Sequence, residues 1–206
     1  MIGYSLNSGL NKLDLVLSHY DPDGATLLSS TTLAGFAAVN FDNINASLAL
    51  SPSAIYAAAT RTAPNGKANL AFVKYDLAGS TQVIKSWSNS IFGGDDIPSR
   101  VILDANGNVL IAGRFGDTGS GSHLALWTYG PAGNLISAQT VSGANGAQDI
   151  AVSTNNVVWL AVEGIAEPAN FTTADGKSDI WGIEVLSGTV GGATRIWAGE
   201  NNGLAS

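Results

Sequence analysis

Short apolar runs separated by turns rich in glycine, Asp and Asn fill most of the chain, and three of these runs end in a regularly spaced tyrosine. Tyr20, Tyr75 and Tyr129 lie 55 and 54 residues apart. Each is preceded by Leu or Phe three and five residues earlier and followed by a glycine four residues later. A weaker fourth copy has Val185 in place of the tyrosine. A period of roughly 50 residues containing several short strands is typical of a β-propeller or a related repeat array.

Each repeat is predicted to contain two β-hairpins. In the first, Val101–Leu103 and Val109–Gly113 flank a turn rich in Asx and glycine, which is a strong hairpin signal. In the second, the strand that ends at Tyr75 turns at Asp76–Gly79 and returns. Two hairpins give four strands, A to D, in each repeat.

This pattern predicts an all-β, propeller-like array of four-stranded antiparallel blades, with about three complete blades and one partial blade. The strands expected in the complete blades are 46–51, 54–61, 69–76 and 81–92, then 99–104, 108–115, 123–129 and 134–141, then 147–153, 157–164, 179–186 and 193–198. The partial blade has strands near 1–5, 13–20 and 25–33, and lacks strand A. We expect a single domain over 1–206, divided into a partial blade 1–34, blades 35–94, 95–143 and 144–199, and a tail 200–206.

The strands that carry the tyrosines are apolar on both faces. Leu70 and Phe72 lie on one face, and Ala71, Val73 and Tyr75 lie on the other. A sheet with one face in water would show polar residues at alternate positions. These sheets are therefore expected to be sandwiched between neighbouring sheets.

The missing strand leaves an open array with unpaired edges, which folded proteins normally protect. Three explanations remain open. The chain is a fragment of a six- to eight-bladed propeller, or two chains close a ring or pair through their ends, or the chain forms a distorted four-bladed ring.

The repeat resembles a known family. The segments Leu70–Asp76 with Gly79, and Leu103–Gly113, are similar to the bacterial SBBP-type β-propeller repeat, and the run Asp14–Gly24 is similar to the related delta-60 repeat. The resemblance covers nearly the whole chain and is weakest in the last blade, where Val185 replaces the tyrosine. It implies a large exported or surface protein of bacteria, and it implies no catalytic residues.

Charge and composition exclude several kinds of partner. The net charge of −7 argues against nucleic acid and anionic membranes, which bind clustered Lys and Arg. The chain has no cysteine, so disulfides and thiolate metal sites are excluded. No apolar run approaches the 18 or more residues of a membrane span. No signal peptide is visible at Met1, so an extracellular or cell-surface location requires a leader that is not present in this sequence.

Metal and acid–base chemistry have few candidates. The turns at Asp21–Gly24 and Asp104–Asn108 resemble the start of a calcium loop, but neither reaches a bidentate Glu at the twelfth position. Turns rich in Asp and Asn also cap their own backbone, and we favour that interpretation. His19 and His123 occupy different positions of the repeat, so no catalytic triad is expected. We expect no metal and no cofactor.

The connections between strands B and C, and between D and A of the next blade, are predicted to form a rim of long loops. Such loops on a rigid scaffold often bind ligands. The candidate ligand-binding residues on this rim are Asp95, Asp96, Arg100, Glu163, Glu167 and Phe171. Of the tryptophans, Trp127, Trp159 and Trp181 are expected in the core, whereas Trp87 and Trp197 are expected to be more open to contacts.

The sequence favours a non-catalytic scaffold or protein-interaction module of an exported bacterial surface protein. Its partner is expected to be another protein or further copies of itself, bound through open blade edges. The alternative is a carbohydrate-binding or carbohydrate-processing propeller whose site lies on the long-loop rim, with Asp95, Asp96, Glu163 or Glu167 as acids. The first hypothesis has no role for these acids, and the second depends on them.

Overall fold

A computed structural model describes residues 1–39, 44–88, 93–117, 121–141, 146–153 and 157–164, together with the backbone of 179–186 and 189–197. Every regular element in these segments is a β-strand, and fifteen strands form four antiparallel sheets. The described segments contain no helix long and apolar enough to cross a bilayer.

Each sheet is a meander in which strands that follow one another in sequence pair side by side. Sheet 1 contains β1 (Ile2–Asn7), β2 (Lys12–Tyr20) and β3 (Leu27–Ala38). Sheet 2 contains β4 (Ala46–Leu50), β5 (Ile55–Thr62), β6 (Ala68–Tyr75) and β7 (Thr81–Trp87). Sheet 3 contains β8 (Gly93–Leu103), β9 (Val109–Asp117), β10 (Gly121–Tyr129) and β11 (Leu135–Val141). Sheet 4 contains β12 (Ala147–Val152), β13 (Val158–Gly164), β14 (Asp179–Leu186) and β15 (Thr189–Trp197).

All fifteen strands overlap a strand predicted from the sequence, but several extend further. β3 continues through Gly35 because a register shift after Leu13 lets Ala37 and Ala38 pair with the start of β2. β8 begins at Gly93, six residues earlier than predicted, because its first residues pair with the end of β9. Glycine and aspartate are poor strand formers, and here pairing overrides their propensity.

We name the two faces of each sheet by the residues of one strand, the strand that carries the tyrosine or its counterpart (β2, β6, β10 and β14). The tyrosine face holds the tyrosine and the residues two and four positions before it. The leucine face holds the residues three and five positions before it. Side chains alternate between the two faces of a strand, and paired residues on neighbouring strands share a face.

Consecutive sheets pack with the leucine face of one sheet against the tyrosine face of the next. Between sheets 2 and 3, Leu70 and Phe72 meet Ala125, Trp127 and Tyr129. The other two interfaces follow the same rule. Between sheets 1 and 2 the cluster includes Leu15, Leu17, Ala71, Val73 and Tyr75, and between sheets 3 and 4 it includes Leu124, Leu126, Val158, Leu160 and Val162.

Sheets 2 and 3 are therefore buried on both faces, as the two-sided apolar pattern predicts. Ala71, Phe72 and Val73 on β6 are each fully buried although their side chains alternate between faces. Burying both faces removes apolar surface from water on both sides of each strand. Each Å² of apolar surface buried stabilises the fold by about 25 cal/mol. The stack of sheets is thus the main source of hydrophobic stabilisation.

The two ends of the stack differ in chemistry. The tyrosine face of sheet 1 points outward and carries polar residues, among them Ser5 and Ser18, and Ser18 occupies the place that Val73 has in sheet 2. A Cβ added to Gly3 on this face would meet no atom within 4 Å. The outward face of sheet 4 carries Trp159, which is 39% exposed.

Candidate functional site

The rim predicted to carry long loops is built by the β1–β2, β5–β6 and β9–β10 connections and by the links from each sheet to the next. In the structure most of these connections are short. The β9–β10 connection spans only 118–120, because Asp117 pairs with Gly121 and both strands run to the tip of the hairpin. The β13–β14 connection, 165–178, lies outside the described residues.

Asp95 and Asp96 lie on strand β8 and not on a loop, which corrects the sequence prediction. Asp95 Oδ1 accepts a hydrogen bond from the backbone N–H of Ala68 at 2.8 Å, and so joins sheet 3 to sheet 2. Asp96 pairs with Phe115 in the ladder and is fully buried. Asp95 therefore has a structural contact, and neither carboxylate stands on a solvated loop.

Arg100 lies four residues further along β8, opposite Ala112, and roughly 13 Å from Asp96 along the strand. Its Nε lies 3.6 Å from Asp149 Oδ1, an exposed ion pair between sheets 3 and 4. Glu163 occupies the ladder of β13 opposite Ile180, where only the backbone is described. Glu167 and Phe171 lie outside the described residues. The structure thus brings Asp95 and Asp96 together but does not bring Arg100 to them.

Two of the tryptophans differ from expectation, and the side chains of Trp181 and Trp197 lie outside the described part of the chain. Trp127 is fully buried, as predicted, but Trp159 is 39% exposed on the outward face of sheet 4. Trp87, expected to be open, packs into the core between sheets 2 and 3, where its ring stacks on Phe115 with centroids 4.8 Å apart. The difference arises because the burial of a tryptophan depends on whether another sheet packs against its face, and the sequence of a single strand does not show that.

The two turns that resemble a calcium loop use their carboxylates within the turn. Asp21 Oδ1 accepts the N–H groups of Ala25 and Thr26. The hydrogen bond from the Thr26 backbone is the main cause that lowers the pKa of Asp21. Asp104 Oδ1 likewise accepts the N–H groups of Asn106 and Asn108. In the described chain no group of three or more His, Cys, Asp or Glu side chains lies close enough to bind a metal ion.

A cavity of about 690 Å³ opens on the rim between sheets 1 and 2, and we call it the rim cavity. Its polar wall is formed by Lys12 at the start of β2, Arg61 and Thr62 at the end of β5, Asn69 on β6 and Ser86 on β7. The β5–β6 turn supplies Pro64 to the same wall. These residues come from both sheets, so the cavity depends on their packing.

The described lining of the rim cavity is positively charged, in a chain whose net charge is −7. Two of the nine Lys and Arg residues line it, and none of the described lining residues is acidic. Arg61 is oriented by two contacts. Its Nη1 donates to Ser86 Oγ at 3.2 Å, and its guanidinium carbon lies 5.6 Å from the centre of the Phe36 ring.

Thr62 is also held in place, because its Oγ1 accepts the N–H of Ala38 at 2.7 Å. This bond links β5 to the end of β3 and uses an acceptor lone pair of the hydroxyl, so its hydrogen remains a donor. None of the cavity residues is among the candidate ligand-binding residues predicted from the sequence. Lys12 and Arg61 are far apart in the chain and occupy different positions of the repeat, so no local motif marks them.

Comparisons with known proteins leave the family open. No protein-family model matches the chain, and no curated protein matches it. Among solved structures, the chain is similar to a protein of unknown function from Bacteroides caccae, with 14% sequence identity and a TM-score of 0.37. The similarity covers 95% of this chain and 72% of that one. A likeness at this level carries no argument about fold or function.

Proposed function

We propose that the chain is a non-catalytic scaffold or protein-interaction module, with its sheets arranged as in an SBBP-type β-propeller of an exported bacterial protein. The arrangement of the first strands supports the propeller geometry. β4 lies beside β8, and β8 beside β12, as inner strands do around a propeller axis. The leucine-to-tyrosine packing of successive sheets supports the same geometry.

The observation that carries the interaction role is the set of exposed aliphatic side chains on the last strand of each of the first three sheets. β3, β7 and β11 are edge strands, each paired on one side within its sheet. They expose Leu28 by 55%, Ile84 by 40% and Ile136 by 56%. Natural edge strands are usually protected by charge, proline or a covering segment, because an apolar edge invites strand addition.

A second copy of the chain is the partner that we propose for these edges. An added strand would satisfy the free N–H and C=O groups of the edge, and the aliphatic side chains would gain contacts on one face. Low charge favours such association, since charged residues make up only 12% of the chain.

Light scattering on the purified chain across a range of concentrations tests this role. The proposal predicts a mass above the 21.0 kDa of one chain, rising with concentration. Ile84→Lys combined with Ile136→Lys should return the mass to that of one chain. Leu77→Lys is the matched control, because Leu77 is 54% exposed but lies in the β6–β7 turn. A mass of one chain at every concentration would contradict the proposal.

A further inference from the structure

We propose that the rim cavity binds a small hydroxylated ligand that carries an oxyanion, either a carboxylate or a phosphate. The proposal rests on the cavity between sheets 1 and 2 and is independent of the interaction role of the edges. Its volume, about 690 Å³, lies within the range of roughly 300–1,000 Å³ found for small-molecule sites.

Charge identifies the class of ligand. Lys12 and Arg61 are brought to one cavity by the packing of two sheets, and no acidic residue of the described lining balances them. An anion bound in the cavity is attracted by both positive charges. The walls of a cleft also concentrate the field, which raises the local concentration of an anion.

The guanidinium of Arg61 favours an oxyanion over other anions. A guanidinium presents five N–H donors in a planar fork that matches the two oxygens of a carboxylate or phosphate. The contacts with Ser86 and Phe36 use one donor and one face of the group. Because the side chain is already oriented, less conformational entropy is lost when a ligand binds.

The remaining polar groups favour a ligand that carries hydroxyls. Thr62, Asn69 and Ser86 place two hydroxyls and an amide on the cavity wall. These groups both donate and accept hydrogen bonds, as a sugar hydroxyl does. An oxyanion on a sugar-like body would therefore match both parts of the wall.

Calorimetric titration with three probes tests the proposal: galacturonate, glucose 6-phosphate and galactose. We expect at least one of the two anionic sugars to bind, and galactose to bind at least about tenfold more weakly. The anionic sugar that binds more tightly distinguishes a carboxylate from a phosphate ligand. Added sodium chloride should weaken binding of the anionic sugar.

Variants assign the binding to the cavity. Arg61→Gln and Lys12→Gln should each weaken binding, by about tenfold or more for Arg61. Arg61→Lys keeps the charge but loses the planar fork, so its affinity should lie between wild type and Arg61→Gln. Lys85→Gln is the matched control, since Lys85 lines a separate cavity of about 480 Å³ and should leave affinity unchanged.

Near-ultraviolet circular dichroism checks that each variant keeps its packing, because Arg61 also contacts Phe36. If Arg61→Gln alters that spectrum, the comparison of Arg61→Lys and Lys12→Gln with wild type decides the question. The proposal is overturned if neither anionic sugar binds, if galactose binds equally well, or if the folded cavity variants bind as wild type does.

Discussion

The ring of Phe72 stacks on the ring of Tyr129 across the interface of sheets 2 and 3, with centroids 4.5 Å apart and planes 8° from parallel. Phe72 lies on the leucine face of sheet 2 and Tyr129 on the tyrosine face of sheet 3. The contact explains why the tyrosine recurs with a Leu or Phe three residues before it. β6 and β10 each offer one of these two residues to the sheet before and the other to the sheet after.

Gly113 on β9 lies where a neighbouring strand comes very close. A Cβ at this position would lie 2.2 Å from the backbone oxygen of Ile97 and 2.9 Å from the Trp127 ring. We expect Gly113→Ala to lower the free energy of unfolding by more than about 2 kcal/mol, because backbone cannot easily move away. Denaturant unfolding followed by tryptophan fluorescence measures the change.

Gly3→Ala is the matched control, because Gly3 occupies the same place in sheet 1, opposite the residue four before the tyrosine. Open space surrounds it. This change should leave stability unchanged or raise it by up to about 1 kcal/mol. Equal losses at the two positions would mean that the close packing around Gly113 is absent.

Tyr75 is fully buried, and its hydroxyl has no hydrogen-bond partner in the described part of the chain. Tyr75→Phe removes that hydroxyl and should leave stability unchanged or raise it by about 1 kcal/mol. Tyr4→Phe provides the contrast, because the Tyr4 hydroxyl donates to the Thr60 carbonyl at 2.6 Å. That change should cost about 1 kcal/mol. A larger loss for Tyr75→Phe than for Tyr4→Phe would contradict this interpretation.

Stability should fall at alkaline pH. Burial raises the pKa of Tyr75 and of Tyr129 to about 12, and it also raises the pKa of Tyr4. In the unfolded chain tyrosine loses its proton near pH 10. The folded state therefore binds more protons above about pH 10, and stability drops from there towards pH 12 by at most about 1.4 kcal/mol per pH unit for each group.

Below about pH 10 these tyrosines should contribute no pH dependence. The decline above it should be shallower in Tyr75→Phe, because one of the shifted groups is gone. Urea unfolding at several pH values measures the slope, and phenolate absorbance reports the titration of the native protein. Native tyrosines that all titrate near pH 10 would be inconsistent with their burial between sheets.

Asp95 should matter for stability because its carboxylate accepts the N–H of Ala68, a fully buried residue. Asp95→Ala leaves that N–H without its acceptor and should lower the free energy of unfolding by about 1–3 kcal/mol. Asp149→Ala is the control, since its carboxylate is 64% exposed and contacts the exposed Arg100 and the adjacent backbone N–H of Ile150. We expect a loss of about 0.5 kcal/mol or less there. The opposite order of effects in thermal unfolding would refute the structural role of Asp95.

The strands and their pairing could be predicted from the sequence because the signals are local. The apolar run that ends at Tyr75 and the turn Asp76–Gly79 predict one hairpin, and the turn Asp104–Asn108 between two apolar runs predicts the other. Gly79 has a φ of 89° and Gly133 the same value, so the glycine four residues after each tyrosine supplies the left-handed turn position. These features need no knowledge of the neighbouring sheets.

The candidate site could not be predicted because it depends on contacts between sheets. Asp95 and Asp96 follow two glycines and have the composition of a loop, yet pairing with β9 places them on a strand. Lys12 and Arg61 line one cavity only because sheet 1 packs on sheet 2. The exposure of Trp159 likewise follows from its position at the end of the stack and not from its own strand.

A double-mutant cycle between Phe72 and Tyr129 tests the central claim, that consecutive sheets pack leucine face against tyrosine face. The free energy of unfolding is measured for wild type, Phe72→Leu, Tyr129→Leu and the double variant. The stacked pair predicts a coupling energy of about 0.5–1.5 kcal/mol. Leu15 packs against the opposite face of sheet 2. The changes in unfolding free energy for Phe72→Leu and Leu15→Ala should therefore add within about 0.5 kcal/mol. Additive effects of Phe72 and Tyr129 within the same limit would contradict the account.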